Sequence, residues 1–155
     1  MMRCVLAATD GSAASLRAVE TAIELVRSFG PDARLHVATV LDYADVPGTM
    51  GKHPPGVPDL LAELADAALA QAAGAVATAG VTAEMHRLSG DVVDALLACA
   101  ARIGADLVVA GFHGRNRIAR LVIGSVSGRL VRSSAVPVVV VARRAPAETE
   151  TPPVR

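Results

Sequence analysis

Three short stretches carry residue types suited to holding a phosphorylated ligand: Thr9-Asp10-Gly11-Ser12, Gly111-Phe112-His113-Gly114 and Gly124-Ser125-Val126-Ser127. Gly111 and Gly114 let the backbone approach an anion closely and turn its N–H groups inward. Gly124-Ser125 reads as a helix start, where unpaired N–H groups and the helix dipole favour negative charge. The hydroxyls of Ser125 and Ser127 are further donors. Nine residues separate Gly114 from Gly124, an arch long enough to close over a triphosphate, and Arg115, Arg117 and Arg120 lie within it. The plainer alternative is a glycine-lined turn followed by an ordinary helix cap. Asp10 suits ligand contact at a strand end, against a role as turn former only. His113 either touches phosphate, moves a proton, or is a solvated loop histidine.

Charge supports an anion near the second and third stretches. The chain of 155 residues has a formal net charge of zero, but the charges are unevenly placed. Residues 1–106 hold 13 acidic and 7 basic side chains, a balance of −6, whereas residues 107–147 hold seven arginines and no Asp or Glu, a balance of +7. Zero net charge removes any global pull toward DNA or an acidic membrane. Aromatics are 2% of residues, with no Trp, which argues against a reader that stacks nucleic-acid bases on rings. Hydrophobic residues make up 52%, enough for one sizeable core built from Val, Leu, Ile and Ala. Cys4 and Cys99 form no C-x-x-C and no disulfide scaffold, so both read as small buried hydrophobes in a reducing compartment. Apolar runs such as Ala95 to Ala101 fall short of a membrane span, and the N-terminus does not read as a secretory signal. The expectation is a cytoplasmic protein with no membrane and no nucleic-acid partner.

The elements that must position these stretches alternate between strand and helix. Val5 to Ala8 reads as a buried strand, followed by a turn with Ser12 as helix cap. Leu16, Val19, Ile23 and Val26 recur on one helical face, and Gly30-Pro31 ends the helix. Leu35 to Val40 is the second strand. Residues 42–58 hold four prolines and three glycines and read as a long loop, with Asp59 as the cap of an Ala-rich helix to about Ala79. Thr82 to Leu88 suits a less buried strand near an edge. Asp91 caps the next helix, with Val93, Leu96, Ala100 and Ile103 on one face and Gly104 as its stop. Asp106 to Ala110 is the fourth strand, Gly124-Ser125 opens a helix to about Ser133, and Val136 to Ala142 is the fifth strand. Residues 1–143 thus form one domain, with 144–155 expected to be a disordered tail.

This order implies an α/β fold: a doubly wound, five-stranded parallel sheet with helices on both faces, Rossmann-like, in strand order 3-2-1-4-5. Ligands in such sheets bind outside the carboxyl ends of the strands, where the winding reverses. The first and fourth strands flank that point, and their ends are the first two of the three stretches.

Gly111-x-x-Gly114, nine residues, then Gly124-Ser125 resembles the ATP-binding signature of the universal stress protein family. Ala8-Thr9-Asp10-Gly11-Ser12 is similar to that family's first strand and turn, His36-Val37 to its second-strand ending, Gly90-Asp91 to its third-helix entry and Pro137 to Val141 to its last strand. The resemblance covers residues 3–142. It implies that Asp10 contacts the ribose and that Val37 makes a backbone contact to adenine. It further implies that Gly111, Gly114, Gly124, Ser125, Val126 and Ser127 hold the phosphates. ATP, with Mg or Mn, is the implied ligand, and the implied role is a nucleotide-dependent stress-response or signalling module. Phe112 departs from the small or hydroxylated residue usual in the loop, and Gly128 from a position often charged.

Other chemistry finds less support. There is no P-loop and no G-x-G-x-x-G. His36 reads as a satisfied core residue. His53 and His86 have no carboxylate or Cys partner at metal-ligand spacing, so no zinc site is expected. With no Asp or Glu in 107–147 to orient water, any ATP hydrolysis is expected to be slow. A slow hydrolase, a cyclic-nucleotide binder and a dimer without nucleotide are the alternatives. The last strand, Val136 to Ala142, should form an unprotected sheet edge, and pairing with the same strand of a second copy would cover it, giving a homodimer.

Overall fold

The computed structural model describes residues 1–43, 55–112 and 125–142. Its nine elements are β1 (Cys4–Ala8), α1 (Ala13–Phe29), β2 (Arg34–Leu41), α2 (Val57–Thr78), β3 (Ala83–Ser89), α3 (Val92–Ile103), β4 (Leu107–Gly111), α4 (Ser125–Ser133) and β5 (Val138–Val141). All strand pairs are parallel, and the sheet order is β3-β2-β1-β4-β5, as the alternation of elements implied. The expected tail and most of the Pro/Gly-rich loop lie outside the described residues.

Strand alternation divides the core in two. Val5, Ala7, Leu35, Val37, Leu107 and Val109 face α1 and α2 on one side of the sheet. Cys4, Leu6, Ala38, Val108 and Ala110 face α3 and α4 on the other. The helix faces are rich in alanine: Ala18 and Ala22 on α1, and Ala65, Ala68 and Ala72 on α2, are buried. Small side chains let these helices lie close to the sheet. Both cysteines are buried and free. At 22 residues, α2 is long and apolar enough to cross a membrane by length and composition alone. Here it packs on the sheet, and its Asp66 carboxylate takes a hydrogen bond from Arg87 of β3 at 2.9 Å.

Caps follow the sequence where a polar side chain does the capping. Ser12 accepts from the Ser15 N–H, and Asp91 accepts from the N–H groups of Val93 and Asp94. The start of α2 differs. The helix begins at Val57, with Gly56 as cap and Pro58 in the first turn, so Asp59 sits inside the helix and not at its cap. Proline is tolerated there because first-turn N–H groups need no partner within the helix. Asp106 also lies outside its expected strand. Its carboxylate accepts from the N–H groups of Arg3 and Cys4, at 2.8 and 2.9 Å, fixing the start of β1 beside β4. The last strand is shorter than Val136 to Ala142, because Pro137 has no N–H for the ladder; its carbonyl accepts from Val108 instead.

One close approach sets where β4 ends. A Cβ at Gly111 would lie 2.8 Å from the Ala14 carbonyl carbon and 2.9 Å from both the Ala14 oxygen and the Ser15 nitrogen. Glycine is needed there so that the first turn of α1 can rest on the end of β4. Gly111→Ala should therefore lower unfolding stability by about 1–3 kcal/mol through overpacking. Urea denaturation checks this, and wild-type stability in the variant would contradict it.

Candidate functional site

The carboxyl ends of β1, β2 and β4 meet on one side of the sheet, at the point where the chain's winding reverses. Thr9 is the last residue tied to the neighbouring strand, its N–H donating to the Ala38 carbonyl at 2.9 Å. Its hydroxyl is turned inward: it lies 3.2 Å from the Ser15 hydroxyl and accepts from the Gly11 N–H at 3.3 Å. Thr9 thus shapes the turn with its side chain. Asp10 follows at the strand's mouth, with Oδ1 accepting from the Ser12 N–H at 2.9 Å and its own N–H donating to Ser15 Oγ. Gly11 adopts a φ of +79°, the left-handed conformation that glycine takes without strain, and Ala68 of α2 lies over it.

Across the switch point, Gly111 closes β4. The Phe112 N–H donates to the Val141 carbonyl, and the Phe112 carbonyl accepts from Ser127 Oγ at 3.3 Å. Ser127 is 2% exposed, so its hydroxyl ties the first turn of α4 to the end of β4. Val126 is exposed beside it. A second link holds α4 to α3: Arg129 makes two hydrogen bonds to the Asp91 carboxylate, at 2.9 and 3.0 Å, while Asp91 also caps α3. The structure thus brings Thr9, Asp10, Gly111, Val126 and Ser127 to one end of the sheet, together with the backbone at the start of α4. His113, Gly114, Arg115 and Gly124 lie outside the described residues.

Val37 is placed differently from the expectation that it ends its strand. The strand runs on to Leu41, and Val37 is fully buried, paired with Ala7 on one side and Met85 on the other. In a parallel ladder the N–H and C=O of one residue point to the same neighbouring strand, and those of the next point to the other. The Ala38 carbonyl accepts from Thr9 of the β1 side, and the Leu41 carbonyl accepts from Gly90 of the β3 side. The Val37 backbone groups therefore face β3. Those of Val40 face the β1 side, where β1 has already ended at Ala8. Reading the sequence alone did not single out Val40, whose backbone groups face past the end of β1. The available signal was the apolar run continuing through Ala38-Thr39-Val40-Leu41.

An open, doubly wound parallel sheet with glycine-marked strand ends at its switch point defines a class of α/β proteins that take ligands in that crevice. A family model described as the universal stress protein family matches residues 1–142, and the chain belongs to that family. A universal stress protein of Methanocaldococcus jannaschii is 30% identical over 134 residues, which are 86% of this chain and 78% of that one. A solved structure of a universal stress protein family member from Burkholderia pseudomallei superposes with a TM-score of 0.71 at 30% identity, covering 90% of this chain and 96% of that one. A crystal structure described as a universal stress protein in complex with cAMP gives a TM-score of 0.68 at 32% identity, covering 90% and 97%.

The link between α3 and α4 should show in acid. Hydrogen bonds from Arg129, with those from the Asp94 and Val93 N–H groups, hold the Asp91 carboxyl down to about 2, below its ordinary 3.8. The folded value is the lower one, so the stabilisation is present above 3.8 and is lost as pH falls through about 2. Arg129→Gln should make the stability–pH curve shallower across that interval, as followed by acid-dependent circular dichroism. An unchanged curve would contradict the link.

Proposed function

We propose that this chain binds an adenine nucleotide, ATP with Mg or Mn, at the carboxyl ends of β1, β2 and β4, as a nucleotide-dependent stress-response or signalling module. The observation that carries the reading is the strand-end geometry itself. β2 extends past the end of β1, Gly111 closes β4 without a side chain, and α4 presents its N-terminus from Ser125. Asp10 is assigned to the ribose. The contact to adenine is assigned to the Val40 backbone in place of Val37, because Val37 is committed to the ladder. The phosphates are assigned to Gly114, His113 and Arg115, and to the N–H groups of Gly124, Ser125, Val126 and Ser127. The hydroxyls of Thr9 and Ser127 keep the two walls in shape. Family membership supports a nucleotide ligand, and the similar protein in complex with cAMP supports a second reading in which the ligand is cyclic.

Calorimetric titration of wild type and Gly114→Val with ATP and with cAMP separates the two. The β-branched side chain should block the phosphates' approach, weakening ATP at least tenfold in a protein that still folds. Tighter binding of cAMP than of ATP to the wild type favours the cyclic ligand. Equal ATP affinity in the folded variant contradicts the phosphate assignment.

We also propose a homodimer through β5. Val108 donates to the Pro137 carbonyl and Phe112 to the Val141 carbonyl, so odd-numbered residues of β5 bond β4. The N–H and C=O groups of Val138 and Val140 therefore point away from the sheet, toward a second copy. Val139 and Val141 pack on the core beside α1, so charges there would damage the fold itself. Val140→Pro removes one outward N–H and leaves the bonds to β4, a substitution edge strands tolerate. Light scattering should show a wild-type dimer at micromolar concentration and a folded monomeric variant. A monomeric wild type or a dimeric variant would contradict strand pairing.

A further inference from the structure

The register of β2 on β3 pairs His36 with Glu84 and Ala38 with His86. Even-numbered residues of these strands share the sheet face covered by α3, so His36, Glu84 and His86 stand together although 50 residues separate the two histidines. His36 Nδ1 and His86 Nε2 share a hydrogen bond at 2.9 Å, with the donor set by the tautomer, and a metal ion would take the place of the shared proton. One Glu84 carboxylate oxygen is 3.6 Å from His36 Nδ1 and the other 3.7 Å from His86 Nε2. The rings are stacked, 5.2 Å between centroids, and both are buried. This corrects the expectation that His86 has no carboxylate partner. It also corrects the reading of His36 as satisfied, since His36 Nε2 is buried without a hydrogen-bond partner.

We propose that His36, Glu84 and His86 form a binding site for a divalent transition-metal ion of the zinc class. Two ring nitrogens and a carboxylate are a ligand set such ions prefer. Ligands about 2.0–2.1 Å from one tetrahedral ion lie about 3.3 Å apart, and the three observed separations, 2.9, 3.6 and 3.7 Å, bracket that value. The carboxylate distances are too long for hydrogen bonds to the rings, yet suit a cation placed between all three groups. Packing fixes both imidazoles, while the Glu84 side chain is 66% exposed and gives an ion a path from solvent. Water would complete the coordination from that side.

The charges around the cluster act in both directions. Burial pushes His36 below the usual histidine range, with Glu84 pulling it back up and His86, Arg34 of β2 and Arg102 of α3 pushing it down. Arg34 and Arg102 oppose a cation, and Glu84, which acts more strongly on His36 than either, offsets them. The cluster lies four residues from Val40 along β2, about 13 Å toward the amino end. An ion there is distinct from one carried by nucleotide phosphates.

The test uses the full chain, freed of nucleotide and metal, titrated with zinc by calorimetry and with cobalt(II) by visible absorption. One ion per chain and the intense spectrum of tetrahedral cobalt are expected. Glu84→Gln and His86→Gln should each weaken zinc at least tenfold, with circular dichroism confirming the fold. Glu84 is exposed, so its variant keeps the test valid if His86→Gln fails to fold. A His53→Ala variant should bind as wild type does. No zinc binding, undiminished affinity in Glu84→Gln, or loss in His53→Ala would overturn the proposal.

Discussion

The first turn of α1 rests directly on the end of β4. The space at Gly111 is so small that a single methyl group would meet the Ala14 carbonyl at 2.8 Å. That contact joins the two strands on either side of the switch point through a helix terminus. The same turn carries Ser15, whose hydroxyl meets Thr9 and Asp10. The end of β1, the start of α1 and the end of β4 are thus one packed unit, and Asp10 is held at its rim. Close packing transmits small changes in volume, so this unit has little freedom to drift.

The far wall of the crevice depends on different interactions. Ser127 bonds back to Phe112, and Arg129 reaches Asp91 at the head of α3. The first bond is half-buried and the second is exposed. The N-terminus of α4 is therefore tied at one point to the end of β4 by the Ser127 hydroxyl, while a solvated ion pair joins the helix to α3. Exposed pairs contribute modestly to stability. Arg129 also joins α4 to the residue that caps α3.

Much of this architecture was legible in the sequence because it rests on local rules. Ser12 and Asp91 declare helix starts through side chains that cap, and Gly104 declares a stop. The alternation of elements, joined to the handedness of crossovers, gives the strand order. What was hidden depends on register. Whether Val37 or Val40 presents its backbone to the crevice is decided by which residues pair with β1. The sequence pattern does not encode that pairing. The same holds for His36, Glu84 and His86. Glu84-x-His86 is visible as a strand pair on one face, but the partner lies 50 residues away and meets it only through the β2–β3 register. Pro58 misled for a further reason: proline breaks helices in the interior, whereas in the first turn it is compatible with one.

The central claim is that the nucleotide lies where β2 outruns β1. Backbone amide shifts in a nitrogen-labelled sample, followed by NMR during titration with ATP, test it directly. The amides of Asp10, Val40, Val126 and Ser127 should move together along a single saturable curve, with the Val37 amide unmoved. Shifts that leave Asp10 and Ser127 in place, or a Val40 amide that stays fixed while ATP binds, would contradict the account.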